Sequence, residues 1–123
     1  KVLKNKQIIV YNHGTNKKES VDYADHIHPV AEQVEKKEVD KGIIICGSGN
    51  GANMTANKHQ QIRSALCWNK EIAELARTHN DANILSIPSR FVTLNDAIEM
   101  VEVFIKTDFE GGRHEKRINK IPI

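Results

Sequence analysis

Cys46 closes an apolar run and faces a loop built mostly of backbone. The stretch Gly42–Gly51 reads GIIICGSGNG, with Gly47, Gly49 and Gly51 at alternate positions. A thiol beside a helix N-terminus has a lowered pKa and becomes a usable base or nucleophile. Glycines let the backbone approach a ligand, and the start of a helix presents unpaired N–H groups, so GSGNGA suits an anion, most commonly phosphate. It is not a phosphate loop of the G-K-[ST] kind, and its glycine spacing is not G-x-G-x-x-G. Glu71 follows about 20 residues on, but inside a predicted helix rather than at a strand end. The plainer alternative is a tight strand-to-helix turn with Cys46 as a small buried hydrophobe.

Two further groups could act with that thiol. His79, in THNDAN, is of a residue type suited to a proton relay, or else simply faces the dipole at a helix C-terminus. Arg113 and Arg117 lie four apart on one helical face, where guanidinium forks can grip phosphate; a solvated basic tail would carry the same pattern. The remaining histidines suggest less. His26 and His28 are two apart, a poor spacing for a shared helical metal site, and His13 and His59 have no partner in the sequence. No metal site is expected. Met54 and Cys67 read as packing residues.

The elements that must position these groups alternate. Gln7–Tyr11 reads as a strand, Tyr23–Lys37 as a helix, and Gly42–Cys46 as a strand buried on both faces. Gly51–His59 suits a short helix and Ile62–Cys67 a strand. Asn69 can cap a helix from Lys70 to about Thr78. Asn83–Ile87 is a further strand. Thr93 or Asn95 can cap a helix whose stripe is Leu94, Ala97, Ile98, Val101, Phe104 and Ile105. A Gly-Gly break then precedes a basic helical segment. Repeated strand–helix alternation predicts an α/β domain with a parallel sheet, and such sheets bind ligands at the carboxyl ends of their strands, where Cys46 lies.

The bulk numbers narrow the class. A chain of 123 residues, 39% hydrophobic and 28% charged, fits one core-bearing domain. A formal net charge of +2 gives no general reason to expect nucleic acid or an anionic membrane. Two cysteines do not make a disulfide framework, so reduced thiols are expected. No apolar run approaches the ~18 residues of a membrane span, no signal-peptide pattern opens the chain, and a cytoplasmic location is the expectation.

GIIICGSGNGANMTANK, ARTHNDANIL (Ala76–Leu85) and FEGGRHEKRINKI (Phe109–Ile121) together resemble the type B ribose-5-phosphate isomerases and the related galactose-6-phosphate isomerases. ESVDYAD (Glu19–Asp25) matches too, with Ala24 where that family usually carries proline. The resemblance runs from Ile8 to Ile121. It implies a three-layer Rossmann-like parallel sheet of flavodoxin-like order. The family opens with a strand ending in an Asp-His pair, then a helix. Since this chain begins KVLKNK, that strand and most of that helix are expected to be missing from it. Residues 1–123 would form one domain, with 109–123 packing on a partner subunit.

The resemblance also implies an activity: aldose–ketose isomerisation of a phosphorylated sugar, without metal or cofactor, through a cis-enediolate after ring opening. Ribose 5-phosphate to ribulose 5-phosphate is the first expectation. A six-carbon phosphate such as allose or galactose 6-phosphate is the alternative, and a non-catalytic sugar-phosphate-binding module is another if the native chain starts at Lys1. Cys46 matches the family's proton-transfer base, and His79 and Ser48 match its ring-opening groups. Gly47, Gly49 and Gly51 would offer N–H groups to the enediolate. Asn80 and Tyr23 match substrate contacts. Arg113 and Arg117 match the phosphate grip, with His114 a weaker candidate beside them. The expected assembly is a homodimer, or a dimer of dimers, with active sites shared between subunits.

Overall fold

The computed structural model describes residues 10–14 and 22–123. Helix α1 (Tyr23–Glu35) leads into strand β1 (Gly42–Cys46). Then follow α2 (Asn50–Ala56), β2 (Ser64–Leu66), α3 (Lys70–Asn80), β3 (Ile84–Pro88), α4 (Leu94–Lys106) and α5 (Arg113–Ile118). The helix end expected in KVLKNK and most of the strand expected at Gln7–Tyr11 lie outside the described residues. Val10 and Tyr11, which are described, belong to no strand.

The three described strands are parallel, in the order β1-β3-β2. Gly42 stands opposite Ile84 and Cys46 opposite Pro88, while Ser64 of β2 also stands opposite Ile84. The layered, parallel α/β class is the expected one. The order differs in detail from a flavodoxin-like arrangement, which would set β1 beside β2. Burial explains why β3 takes the inner place. Its segment ILSIP is buried at every position, as a strand covered on both faces must be, whereas β2 is only three residues long.

Alternation along β3 feeds two cores. On one face Ile84, with Ile44 of β1, meets Ile27, Ala31 and Val34 of α1 and Ala52 and Ala56 of α2. On the other, Leu85 and Ile87 meet Ala73 and Ala76 of α3 and Met100 and Phe104 of α4. Fully burying a side chain as large as Phe104 or Leu85 contributes about 1.5–3 kcal/mol, so these two layers fix the sheet between the helices. No described helix is long and apolar enough to cross a membrane.

Local signals set the helix starts. The Asn69 side chain accepts a hydrogen bond from the Ile72 amide at 3.0 Å. Thr93 and Asp96 form a reciprocal capping box, so Thr93 rather than Asn95 is the cap of α4. Three packing expectations are corrected. Met54 is 66% exposed, because the buried face of α2 is the i, i+4 pair Ala52 and Ala56. Leu94, in the first turn of α4, projects beyond the sheet and is exposed, while Met100 completes the stripe with Phe104. Strand β1 is not buried on both faces throughout: Ile45 is 62% exposed.

Candidate active site

Strand β1 delivers Cys46 half-buried at its carboxyl end. Beyond it the chain is held by the loop that follows β3. The Ser89 amide donates to the Cys46 carbonyl at 2.9 Å, the Ser89 hydroxyl donates to the same oxygen at 3.3 Å, and the Arg90 amide donates to the Gly47 carbonyl at 3.0 Å. With those carbonyls engaged on one side, the amides of Gly47, Ser48 and Gly49 find no acceptor among the described residues. Three N–H donors next to a thiol are an arrangement suited to an oxyanion. Exposed Ser48 accepts from the Asn50 amide at 3.3 Å.

Two of the glycines are required by their surroundings. Gly49 caps α2 at φ +78°, and a Cβ there would stand 2.5 Å from Leu66 Cδ1. A Cβ at Gly51 would stand 2.6 Å from Tyr23 Cζ, so the Tyr23 ring packs directly on the loop. The structure therefore brings Tyr23, Cys46, Ser48, Gly47, Gly49 and Gly51 together.

Arg90 joins them and was missed in the sequence. Its Nε stands 3.1 Å from where a Cβ of residue 47 would lie. The available signal was its place: a lone cation in the loop after β3, at the same strand end as Cys46. It sets positive charge over the loop.

The second group gathers elsewhere. His79 lies half-buried in the last turn of α3, and Asn80, exposed, ends that helix. Their position is pinned by Asp81, a C-cap at φ 46°, and by Arg63, whose Nε donates to the carbonyls of Asn80 at 3.1 Å and Asp81 at 3.0 Å. The basic tail packs on α3. His114 stacks on His79 with ring centroids 4.3 Å apart, and the Glu110 amide donates to the Thr78 carbonyl at 3.0 Å. Helix α5 turns His114 and Ile118 inward and leaves Arg113 and Arg117 exposed on one face.

These two groups stand at opposite ends of the sheet. Cys46 is paired with Pro88 at the carboxyl end of β3. His79 precedes the other end, where the Gly42 amide donates to the Asn83 carbonyl at 2.9 Å. Five strand residues separate the ends by roughly 13 Å of rise. Within one chain, Cys46 and His79 therefore lie toward opposite ends of the sheet.

His26 Nδ1 lies 2.8 Å from the His13 carbonyl oxygen, while His28 and His59 form a separate cluster. His28 Nδ1 and His59 Nε2 are 2.8 Å apart, and His59 Nδ1 donates to Glu35 at 3.0 Å. The Gln61 amide, donating to Glu35 Oε2, is the main cause that holds the Glu35 carboxyl below its usual range, with burial opposing and His59 helping. His59 thus has the partners that the sequence did not reveal. Cys67 is fully buried, and burial pushes its thiol up to about 12, so it is a packing residue as expected.

Comparison with known proteins gives a consistent result. Residues 1–121 match the family described as Ribose/Galactose Isomerase. The chain is 46% identical over 121 residues to the probable ribose-5-phosphate isomerase B of Mycoplasma genitalium, covering 97% of this chain and 80% of that protein. It is 41% identical over 112 residues to ribose-5-phosphate isomerase B of Escherichia coli K12, covering 91% and 75%. Among solved structures, a ribose 5-phosphate isomerase of Thermotoga maritima superposes with a TM-score of 0.94 at 46% identity, over 98% of this chain and 83% of that one. The Mycoplasma genitalium enzyme with bound ribulose-5-phosphate superposes with a TM-score of 0.93 at 45% identity, over 97% and 80%.

Proposed function

This chain belongs to the ribose/galactose isomerase family, and on that premise we propose that it interconverts ribose 5-phosphate and ribulose 5-phosphate in active sites shared between two copies of itself. The observation that carries the shared site is the separation of Cys46 from His79 along the sheet. If both serve one substrate, the second copy must supply one of them. The five-carbon substrate is supported by the relatives named above and by the ribulose-5-phosphate bound in one of them.

The reaction has two parts. Ring opening removes the proton of the anomeric hydroxyl, forms the C1 carbonyl, breaks the bond from C1 to the ring oxygen and returns a proton to that oxygen. The His79 imidazole and the Ser48 hydroxyl can each accept and donate a proton, so together they serve the two oxygens. Isomerisation then needs a base between C1 and C2. The Cys46 thiolate takes the C2 proton and the C1 carbonyl oxygen takes up the negative charge of the enediolate; the O2 hydroxyl proton then passes to O1, and the thiol returns its proton to C1 as the C2 carbonyl forms. The amides of Gly47, Ser48 and Gly49 face the charge that develops on the enediolate oxygens, the kind of interaction that dominates such catalysis. Arg113 and Arg117 hold the phosphate, Tyr23 and Asn80 contact the sugar, and Arg90 adds positive potential over the loop.

Subunit mixing tests this reading. Cys46→Ala and His79→Ala homodimers should each be inactive. Unfolding and refolding them together at equal concentration should restore about one quarter of wild-type turnover, because half of the dimers are mixed and each holds one intact site of two. No recovery in the mixture, with mixed dimers demonstrated by mass, rules out the shared site. Turnover of allose and galactose 6-phosphates in the same assay decides between five- and six-carbon substrates.

A further inference from the structure

His114 departs from the rest of the basic tail. It sits between Arg113 and Arg117 on α5, yet it is 5% exposed while both arginines face solvent. Its ring lies nearly parallel to that of His79, with planes 14° apart and centroids 4.3 Å apart. Its Nε2 is buried and makes no hydrogen bond among the described residues. Glu110 Oε1, at 3.7 Å, is beyond hydrogen-bond reach. A nitrogen sealed in this way is badly placed to bind phosphate, which the exposed guanidinium groups beside it can reach.

Burial is the first cause that holds His114 below the usual histidine range. His79 and Arg113 act in the same direction, Glu110 opposes, and Arg117 adds a smaller lowering. On α3, the nearby Arg77 and Asp81 are engaged with each other at 2.9 Å. A flat ring stacked on His79 restricts the plane in which His79 can lie.

We propose that His114 is a positioning residue: its stacked ring sets the orientation of His79 for opening the sugar ring and takes no part in the proton transfer between C1 and C2. The inference rests on the reading of His79 as the ring-opening group. It separates two halves of the reaction that can be measured apart. Ribulose 5-phosphate carries its phosphate on O5, so its C2 carbonyl cannot close a five-membered ring and the ketose is open-chain. Exchange of its C1 hydrogen with deuterated water therefore needs Cys46 but no ring opening.

The test compares His114→Ala and His114→Phe in the full chain. His114→Ala should lower kcat for ribose 5-phosphate on the order of tenfold to a hundredfold, with KM within about threefold. Its C1 exchange on ribulose 5-phosphate should stay within about threefold of wild type. His114→Phe, which restores a flat ring, should recover the aldose reaction to within about threefold. The proposal is overturned if exchange and aldose turnover fall together in His114→Ala, if aldose turnover is unchanged, or if phenylalanine fails to rescue. Full aldose turnover in His79→Ala instead refutes the assignment of His79 itself.

Discussion

The aromatic ring of Tyr23 occupies the space that any side chain at position 51 would need, with its Cζ 2.6 Å from the Cβ position of Gly51. This couples the start of α1 to the glycine loop. Gly51→Ala must displace the ring, and such overpacking costs about 1–3 kcal/mol. The expected outcome is a lowered midpoint of denaturant unfolding together with reduced kcat/KM. Tyr23→Ala in the same chain should recover most of the stability and none of the activity. A Gly51→Ala protein of unchanged stability would show that the ring moves freely away from the loop.

Removing the thiol should separate chemistry from folding. Cys46 is only half-buried, at the margin of the core that α1 and α2 form with β1. Cys46→Ala is therefore expected to shift thermal unfolding by no more than a few degrees. Turnover should fall by about a thousandfold or more, the scale of losing a base that acts in the transition state. Residual turnover within about tenfold of wild type would show that another group carries the proton.

Phosphate grip should be divided between exposed guanidinium groups. Arg113 and Arg117 lie on the solvent face of α5, and each charge-assisted hydrogen bond to phosphate is worth about 1.5–3 kcal/mol. Arg113→Ala and Arg117→Ala should each raise KM by roughly ten- to a hundredfold with little loss of fold. Arg90→Gln should lower kcat/KM and weaken its dependence on ionic strength, since Arg90 adds charge over the loop. Steady-state kinetics at two salt concentrations would check all three.

Much of this architecture was legible because it depends on local signals. The run GIIIC, the Asn69 cap and the Thr93 start were each set by a few residues, and β1, α3 and α4 form there. The order of the strands was not legible, because it depends on which segment can be buried on both faces, and among the described strands only β3 is buried throughout. The thiol and its loop were visible as a spacing. Arg90 was not, because it approaches Gly47 from the loop after β3, and that proximity exists only once β1 and β3 pair. His114 appeared as one more basic residue of the tail. Its burial follows from α5 docking on α3, which no periodicity in six residues could declare.

Arg77 should matter for stability rather than chemistry. It is buried, donates to the Thr107 carbonyl at 2.9 Å and to the Ala82 carbonyl, and pairs with Asp81 at 2.9 Å, joining α3 to the end of α4. Arg77→Ala strands these acceptors, and with Asp81 partly solvated the expected loss is about 2–3 kcal/mol. Lysine cannot reproduce the fork and should recover less than half of it. Denaturant unfolding reads the loss, while KM of the protein that remains folded should be unchanged.

The two thiols should behave oppositely toward alkylation and alkaline pH. Cys67 is sealed, and burial raises its pKa from about 9 to about 12. Iodoacetamide at pH 8 should therefore modify Cys46 alone in the native protein and both cysteines after unfolding, as counted by mass. The same shift sets a pH dependence. Between about 9 and about 12 the unfolded chain releases the Cys67 proton while the folded chain keeps it. The unfolded state then binds fewer protons, so stability falls as pH rises through that window and is fully present below it. Cys67→Ala removes this slope at the cost of a small cavity. Measuring the unfolding free energy at pH 8 and pH 10.5 should show a smaller drop in Cys67→Ala than in wild type, and equal drops would mean that the thiol already ionises in the fold.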